Sequence, residues 1–131
     1  MTVFESIVHI EKPVAEIYAF LSDLNNHQQL MPPHVQDWRS TADEISFSIQ
    51  NMAKLRIVVE QRTDGAGISI IAVDEPPFKV SFRWLLAQEA GYTSVQYTIT
   101  AELNMMMKMF ASGPLQKLAD HETAALTALF S

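Results

Sequence analysis

Residues 104–130 read NMMMKMFASGPLQKLADHETAALTALF, and this stretch decides how the rest of the chain is arranged. Apolar residues recur close to the i, i+3, i+4, i+7 spacing of a helix that buries one face. They are Met107, Phe110, Leu115, Leu118, Leu126 and Leu129. Such a face needs a partner, and from residue 35 onward apolar and polar residues alternate with the period of two typical of half-buried strands. We therefore expect a sheet that curls around this helix.

The ends and the middle of this helix carry separate signals. Asn104 precedes the first turn, where its side-chain oxygen can accept an otherwise unpaired backbone N–H. Inside the helix, the pair Gly113-Pro114 predicts a kink or a restart, because proline removes an internal hydrogen bond and clashes with the preceding turn. Ser112 or Gly113 would then cap a second segment that bends over the space between helix and sheet.

The first third of the chain predicts one strand and two short helices. Residues 2–10 alternate, with Phe4, Ser6, Val8 and Ile10 on the inward face. Pro13 suits the first position of a helix, where its missing N–H costs nothing, and this helix runs to about Asp23. A second short helix covers residues 25–30 and ends before Pro32, because residues that precede proline are pushed out of the α region.

Six further strands are expected at residues 35–40, 44–50, 54–63, 67–74, 78–89 and 92–103. The clearest turn is Asp64-Gly65-Ala66-Gly67, whose glycines supply the positive φ values of a tight hairpin. Connections of hairpin length imply an antiparallel sheet. The expected fold is α+β, with a curved seven-stranded antiparallel sheet wrapped around a long C-terminal helix and two short helices between strands 1 and 2.

Composition limits the classes of function. The 131 residues fit a single domain spanning 1–131, and the chain contains no cysteine. Nine basic against fifteen acidic residues give a net charge of −6, which argues against a nucleic-acid partner. Neither a secretory signal nor an apolar run long enough to cross a bilayer is visible, so the cytoplasm is the default location.

Several motifs are similar to those of one superfamily. They are the run from Pro13 to Asp23 (PVAEIYAFLSD), Asn25, Asn26, the Leu30-Met31-Pro32 end, Asn104, Met109 and Gly113-Pro114-Leu115. Together with the strand count, they resemble the START/Bet v1-like (SRPBCC) helix-grip superfamily, including its bacterial polyketide cyclase/dehydrase-like group. The resemblance implies an apolar cavity between sheet and helix. It leaves the function open, because the group includes lipid and hormone binders, aromatase/cyclases, quinone-binding proteins and co-chaperone domains.

The candidate ligand-binding residues are the inward side chains near the middle of sheet and helix, although any one of them could simply fill the core. They are Ile57, Val59, Ile70, Phe82, Trp84, Tyr97, Ile99, Met107, Phe110 and Leu118, with His34 added because its loop borders the pocket entrance in relatives. Trp84 and Tyr97 matter most, because each combines a large apolar surface with one hydrogen-bonding group.

Signals for catalysis are weak in the sequence. The inward rows contain Ser6, Gln61, Gln88 and Tyr97 but no charged residue, unless a bulge shifts a strand. His9, His27, His34 and His121 lack the spacing of a metal motif, so no metal, cofactor or catalytic residue is predicted.

Three functions remain after this reading. The favoured one is a carrier or sensor of a small hydrophobic or aromatic molecule. The alternatives are a cyclase/dehydratase that uses Tyr97 or His34, and a protein-interaction module. The residues of the cluster Met105, Met106, Met107 and Met109 cannot all face one pocket. We expect Met107 to point inward and at least one of the others to meet a loop or a second subunit, and an exposed methionine edge would favour a homodimer.

Overall fold

The computed structural model describes residues 1–33, 35–49 and 53–131, and within them the chain forms the predicted curled antiparallel sheet of seven strands around a long helix. The strands are β1 (Thr2–Ile10), β2 (Val35–Ser40), β3 (Glu44–Ile49), β4 (Ala53–Thr63), β5 (Gly67–Val73), β6 (Val80–Gln88) and β7 (Thr93–Ala101). The helices are α1 (Val14–Ser22), a 3₁₀ helix (Leu24–Leu30) and α2 (Met105–Leu129). The predicted α+β helix-grip fold is confirmed.

The strand order is β1-β7-β6-β5-β4-β3-β2, so the first and last strands are neighbours. In this register Tyr97 on β7 lies opposite Trp84 on β6 and Ser6 on β1. Because side chains on opposed residues share a face, the inward rows of these strands form one wall. The predicted inward residues Phe82, Trp84, Tyr97 and Ile99 are buried. The remaining buried inward residues of β6 and β7 are Val80, Leu86, Val95 and Ala101.

The hairpin between β4 and β5 depends on close backbone approach at Gly67. A Cβ atom built on Gly67 would lie 2.1 Å from the carbonyl oxygen of Trp84. The adjacent Leu86 N–H donates to the carbonyl of Ala66 over 2.7 Å, which ties the turn to β6. The predicted turn is therefore confirmed, and its second glycine is needed for space as well as for conformation.

The two short elements after β1 close one end of the sheet. Pro13 was predicted to be the first residue of the helix. It has an extended ψ of 145° and lies immediately before α1, so the helix begins one residue later than predicted. The backbone N–H of Val14 donates to the side chain of Gln88 over 2.8 Å, which fixes the start of this helix to the end of β6. Gln88 is exposed and serves as this anchor, so its predicted place in the interior is wrong.

A register shift in β4 overturns a second prediction about the inward rows. The pairing with β5 slips between Val59 and Gln61, and Gln61 is exposed. A bulge of this kind inserts one residue and reverses the facing of those beyond it. Val59, next to the slip, is only half-buried against the core.

Helix α2 differs from its prediction in two respects. It runs without interruption from Met105 to Leu129 and contains Pro114, so the predicted restart with Ser112 or Gly113 as its cap is wrong. Pro114 has no N–H, so the carbonyl oxygen of Phe110 lacks the hydrogen bond that it would otherwise accept within the helix. Phe110 lies on the exposed side of the helix, where water can replace that partner. The N-terminal cap is confirmed, since Asn104 accepts the N–H of Met107 over 2.8 Å.

The buried stripe of α2 excludes Phe110, which is 72% exposed. At about 100° per residue, Phe110 points about 140° away from Leu115, whereas Ala111 lies on the same side as Leu115. The stripe consists of Ala111, Leu115, Leu118, Ala119, Glu122, Thr123 and Leu126. Leu129 is 46% exposed at the end of the helix, while Met107 is half-buried against the core as expected.

Within the described ranges, no helix has both the length and the apolar character needed to span a membrane.

Candidate functional site

A cluster of buried polar side chains lies between the concave face of the sheet and α2. Glu122 comes from α2, Tyr97 from β7, Trp84 from β6 and His27 from the 3₁₀ helix. None of the four is more than 2% exposed. Four elements therefore deliver hydrogen-bonding groups to a largely apolar interior, and this cluster is the candidate site.

Glu122 faces inward because of its helical spacing. It follows Leu118 by four residues and precedes Leu126 by four, so all three lie on the same side of α2. Glu122 is not among the residues predicted from the sequence, and charged residues usually lie in solvent. The helical spacing could have identified Glu122, because a side chain midway between the buried Leu118 and Leu126 must also face the interior.

The environment of Glu122 keeps its carboxyl group neutral. Burial raises the pKa of Glu122 from 4.5 to about 8, and a hydrogen bond from the Tyr97 hydroxyl opposes this rise only in part. The second carboxyl oxygen, Oε2, is buried and has no hydrogen-bond partner within the described chain. At neutral pH, Glu122 is thus a neutral acid with one unsatisfied oxygen in the interior, a costly arrangement.

Tyr97 and Trp84 form the wall behind Glu122. Their rings stack with centroids 3.9 Å apart and an interplanar angle of 18°. Burial, followed by the charge of Glu122 and the hydrogen bond to it, raises the pKa of Tyr97 well above its usual value, so the hydroxyl stays protonated. Among the residues described, the indole Nε1 of Trp84 has no hydrogen-bond partner. The interior therefore holds a second unsatisfied polar atom, on the ring that stacks on Tyr97.

His27 contributes a neutral imidazole. Its Nε2 lies 2.8 Å from the carbonyl oxygen of Leu21, and because a carbonyl only accepts, Nε2 must carry the proton. Burial lowers the pKa of His27 from 6.5 to about 4, against smaller raising effects of the Leu21 hydrogen bond and of Asp23. The ring meets that of Trp84 edge to face at 6.3 Å. His27 is thus neutral at pH 7, and its Nδ1 is an acceptor.

A small cavity lies in the middle of this cluster. Its volume is about 10 Å³, close to the space that one water molecule requires. Its lining consists of His27, Met31, Ile45, Phe47, Ile57, Ile70, Phe82, Tyr97, Leu118 and Glu122. Tyr97, Glu122 and His27 are therefore the polar groups on a surface that is otherwise apolar.

The structure brings about half of the predicted ligand-binding residues to this cavity. Ile57, Ile70, Phe82, Tyr97 and Leu118 line it. Trp84 and Ile99 are buried beside it, whereas Val59 and Met107 are half-buried at the margin of the core. Phe110 is exposed on α2 and does not reach it. His34 lies outside the described residues.

A larger open cleft of about 770 Å³ lies outside the sheet-helix interior, beside α1 and the β4–β5 hairpin. Its main cation is Arg62, whose guanidinium donates to the carbonyls of Ser22 and Ala42 at 2.8 and 2.9 Å. Arg62 also forms an ion pair with Asp43 at 2.9 Å. These contacts tie α1 to the β2–β3 turn and already occupy the guanidinium, so Arg62 differs from Glu122 in having its hydrogen-bond partners within the fold.

Metal ligation finds no support in the part of the chain that is described, where no three His, Asp or Glu side chains come together in a way that could hold an ion.

Comparison with known proteins identifies the fold. No family model matches the chain, and none of the curated proteins matches it. A START superfamily protein from Mycobacterium smegmatis aligns with a TM-score of 0.71 and 14% identity over 98% of this chain and 96% of that one. The Aha1 protein of Colwellia psychrerythraea, solved as a dimer, aligns with a TM-score of 0.68 and 14% identity over 99% and 94%.

One matching structure contains two domains. The di-domain ARO/CYC BexL from the BE-7585A biosynthetic pathway aligns with a TM-score of 0.72 and 18% identity over 98% of this chain and 46% of its own. Identities this low establish the fold and leave the function open. The START/Bet v1-like helix-grip fold that the sequence motifs resemble is thereby confirmed.

Proposed function

We propose that the chain binds a small, largely apolar molecule with one polar group between the concave face of the sheet and α2, as a carrier or a sensor. The observation that carries this proposal is the unpaired Oε2 of Glu122 at the wall of an apolar cavity. A core that served stability alone would gain from an apolar side chain at this position. Interior sites with few polar groups on an apolar lining are typical of small-molecule binding.

Ligand entry requires the interior to expand, since the cavity of about 10 Å³ holds no more than one water molecule. Met31 is the side chain in the lining best suited to move. It is half-buried, it follows the 3₁₀ helix, and its unbranched thioether repacks readily. We expect the ligand to displace Met31 and to contact Tyr97 and Glu122.

A thermal-shift screen of lipids and aromatic compounds tests this function. A ligand that binds the folded chain raises its melting temperature. The variant Ile70→Phe fills the cavity and should abolish the response. Its matched control, Ile71→Phe, changes the neighbouring residue, which lies outside the cavity lining, and should retain the response. A screen without any response, or equal responses in the two variants, would contradict binding at this place.

A cyclase or dehydratase is the second candidate function, and the contact between Glu122 and Tyr97 favours it. Neutral Glu122 can donate its proton to a substrate hydroxyl, which leaves as water when its C–O bond breaks. The carboxylate that remains, stabilised by the Tyr97 hydroxyl, can take the proton of the neighbouring carbon as the C=C bond forms, which restores the acid. Turnover of a polyketide-like thioester would then decline above about pH 8, the pKa of Glu122. The variant Glu122→Gln would bind the compound without converting it. A wild-type chain that binds such compounds and converts none of them would exclude this function.

Self-association is the third candidate, favoured by an exposed apolar surface at the start of α2. Met105, Met106, Met109 and Phe110 are between 69% and 87% exposed. Exposed apolar clusters of this kind often mark contact surfaces. Sedimentation velocity should show a dimer that Phe110→Ser weakens, whereas Ile7→Ser, at an exposed apolar residue on β1, serves as the control. Monomers at all concentrations would rule out this surface as a dimer contact.

A further inference from the structure

The polar atoms around the cavity differ in whether they already have a hydrogen-bond partner. The Tyr97 hydroxyl is engaged with one carboxyl oxygen of Glu122, and Nε2 of His27 is engaged with the carbonyl of Leu21. Oε2 of Glu122 is buried and unpaired within the chain as described. Among the described groups that line the cavity, Oε2 of Glu122 is therefore the buried oxygen that has no hydrogen-bond partner.

We propose that the carboxyl group of Glu122 anchors the ligand by a hydrogen bond to an uncharged oxygen acceptor, such as the carbonyl of a ketone, aldehyde or ester. This assignment rests on the proposed binding function and specifies its ligand class. The Tyr97 hydroxyl occupies the other carboxyl oxygen, so it orients the group toward the cavity. Oε2 is then the donor that a ligand carbonyl meets.

Charge selects against ionic ligands at this site. The described lining contains no lysine or arginine, so a ligand carboxylate would be buried beside Glu122 without a counterion. A ligand ammonium would first require Glu122 to ionise, and a buried ion pair at best offsets the cost of removing both charges from water. A neutral carbonyl avoids both costs and satisfies the unpaired oxygen.

The hydrogen bond also makes binding depend on pH in a defined direction. Three titratable side chains face this space: Glu122 from α2, Tyr97 from β7 and His27 from the 3₁₀ helix. The pKa of His27 is about 4 and that of Tyr97 is raised, so both stay neutral from neutral to moderately alkaline pH. Glu122 loses its proton near pH 8 and with it the ability to donate. Carbonyl ligands should therefore bind more weakly above that pH.

Four aromatic probes of similar size test the ligand class: acetophenone, ethylbenzene, benzoate and benzylamine. We expect calorimetry on the full chain at pH 7 to show acetophenone binding about tenfold more tightly than ethylbenzene, the typical effect of one buried hydrogen bond. Benzoate and benzylamine should bind more weakly than acetophenone. Raising the pH past 8 should reduce the acetophenone advantage and leave ethylbenzene binding unchanged.

Three variants separate the anchor from the rest of the cavity. Glu122→Gln keeps a donor of similar shape, so it should retain the preference for acetophenone and lose its pH dependence. Glu122→Leu should bind ethylbenzene as well as acetophenone. Asp120→Asn, an exposed position on the same helix, should behave like the wild type.

The outcomes distinguish the anchor from the binding function itself. If ethylbenzene and acetophenone bind equally to the wild-type chain, or if benzoate or benzylamine binds most tightly, the anchor is wrong while the binding function stands. If Glu122→Leu retains the acetophenone preference, another group supplies the hydrogen bond and the anchor is again wrong. If none of the four probes binds, both the anchor and the binding function are overturned.

Discussion

Replacing Glu122 with glutamine should remove a pH dependence of folding stability that the wild-type chain owes to this one carboxyl group. Burial raises the pKa of Glu122 from 4.5 to about 8 in the folded protein. Between these values the folded chain holds a proton that the unfolded chain has released, so the free energy of unfolding falls as pH rises. The stabilisation is fully present below pH 4.5 and is lost as pH rises through about 8.

His27 has the opposite effect on the acid side. Its pKa is about 4 in the folded protein and 6.5 in the unfolded chain, so the free energy of unfolding rises with pH between these values. The two effects oppose each other up to pH 6.5, and above it Glu122 acts alone up to about pH 8. At about 1.4 kcal/mol per pH unit, the wild-type chain should lose about 2 kcal/mol across this window.

Urea unfolding at several pH values within this window measures the slope directly. Glu122→Gln should have an unfolding free energy that hardly changes there, while the exposed control Asp120→Asn should follow the wild type. Comparing variants removes the background of the other ionisable groups, which the three chains share. A Glu122→Gln chain that keeps the wild-type slope would show that the buried carboxyl is not the group that titrates.

Four further substitutions test other parts of the structure through urea unfolding. His27→Gln should reduce the loss of unfolding free energy in acid, by about 3 kcal/mol at pH 4. If the variant loses as much stability in acid as the wild type, the imidazole is not buried in its neutral form. Gly113→Ala should raise stability by about 0.5–1 kcal/mol if α2 is continuous, whereas a decrease would indicate the break that proline suggests. Gly67→Ala should lower the free energy of unfolding by more than about 2 kcal/mol, because the added methyl group clashes with the Trp84 carbonyl. Gly65→Ala, at a position with φ of 68° but open space, should lower it by about 1 kcal/mol. Equal losses in the two variants would show that the clash at Gly67 is relieved.

The sequence predicted the fold well because its strands are half-buried. In the middle of β6 and β7 every second residue is large and apolar, so the strand period and the inward face are visible in the sequence itself. The hairpin at Gly65 and Gly67 and the Asn104 cap are local signals that depend on a few neighbouring residues. Features of this kind need no knowledge of distant contacts.

The candidate site was only partly predictable, for four physical reasons. Glu122 is charged and so lies outside the apolar pattern that defined the stripe, although its helical spacing places it there. Gln61 was placed inward because a bulge cannot be read from alternation, and Phe110 because the apolar stripe was continued across a five-residue gap. The cavity volume depends on how Met31 and Phe47 pack against neighbours that are distant in sequence.

Glu122 connects the stability of this fold to its proposed activity. A leucine between Leu118 and Leu126 would continue the buried stripe and leave no oxygen to satisfy, so the carboxyl does not stabilise the core at neutral pH. The same residue lines the interior cavity and receives the hydrogen bond of Tyr97. Costly groups of this kind concentrate at functional sites, where the surrounding fold holds them in place. We assign binding to the interior because this destabilising carboxyl group lies beside the cavity.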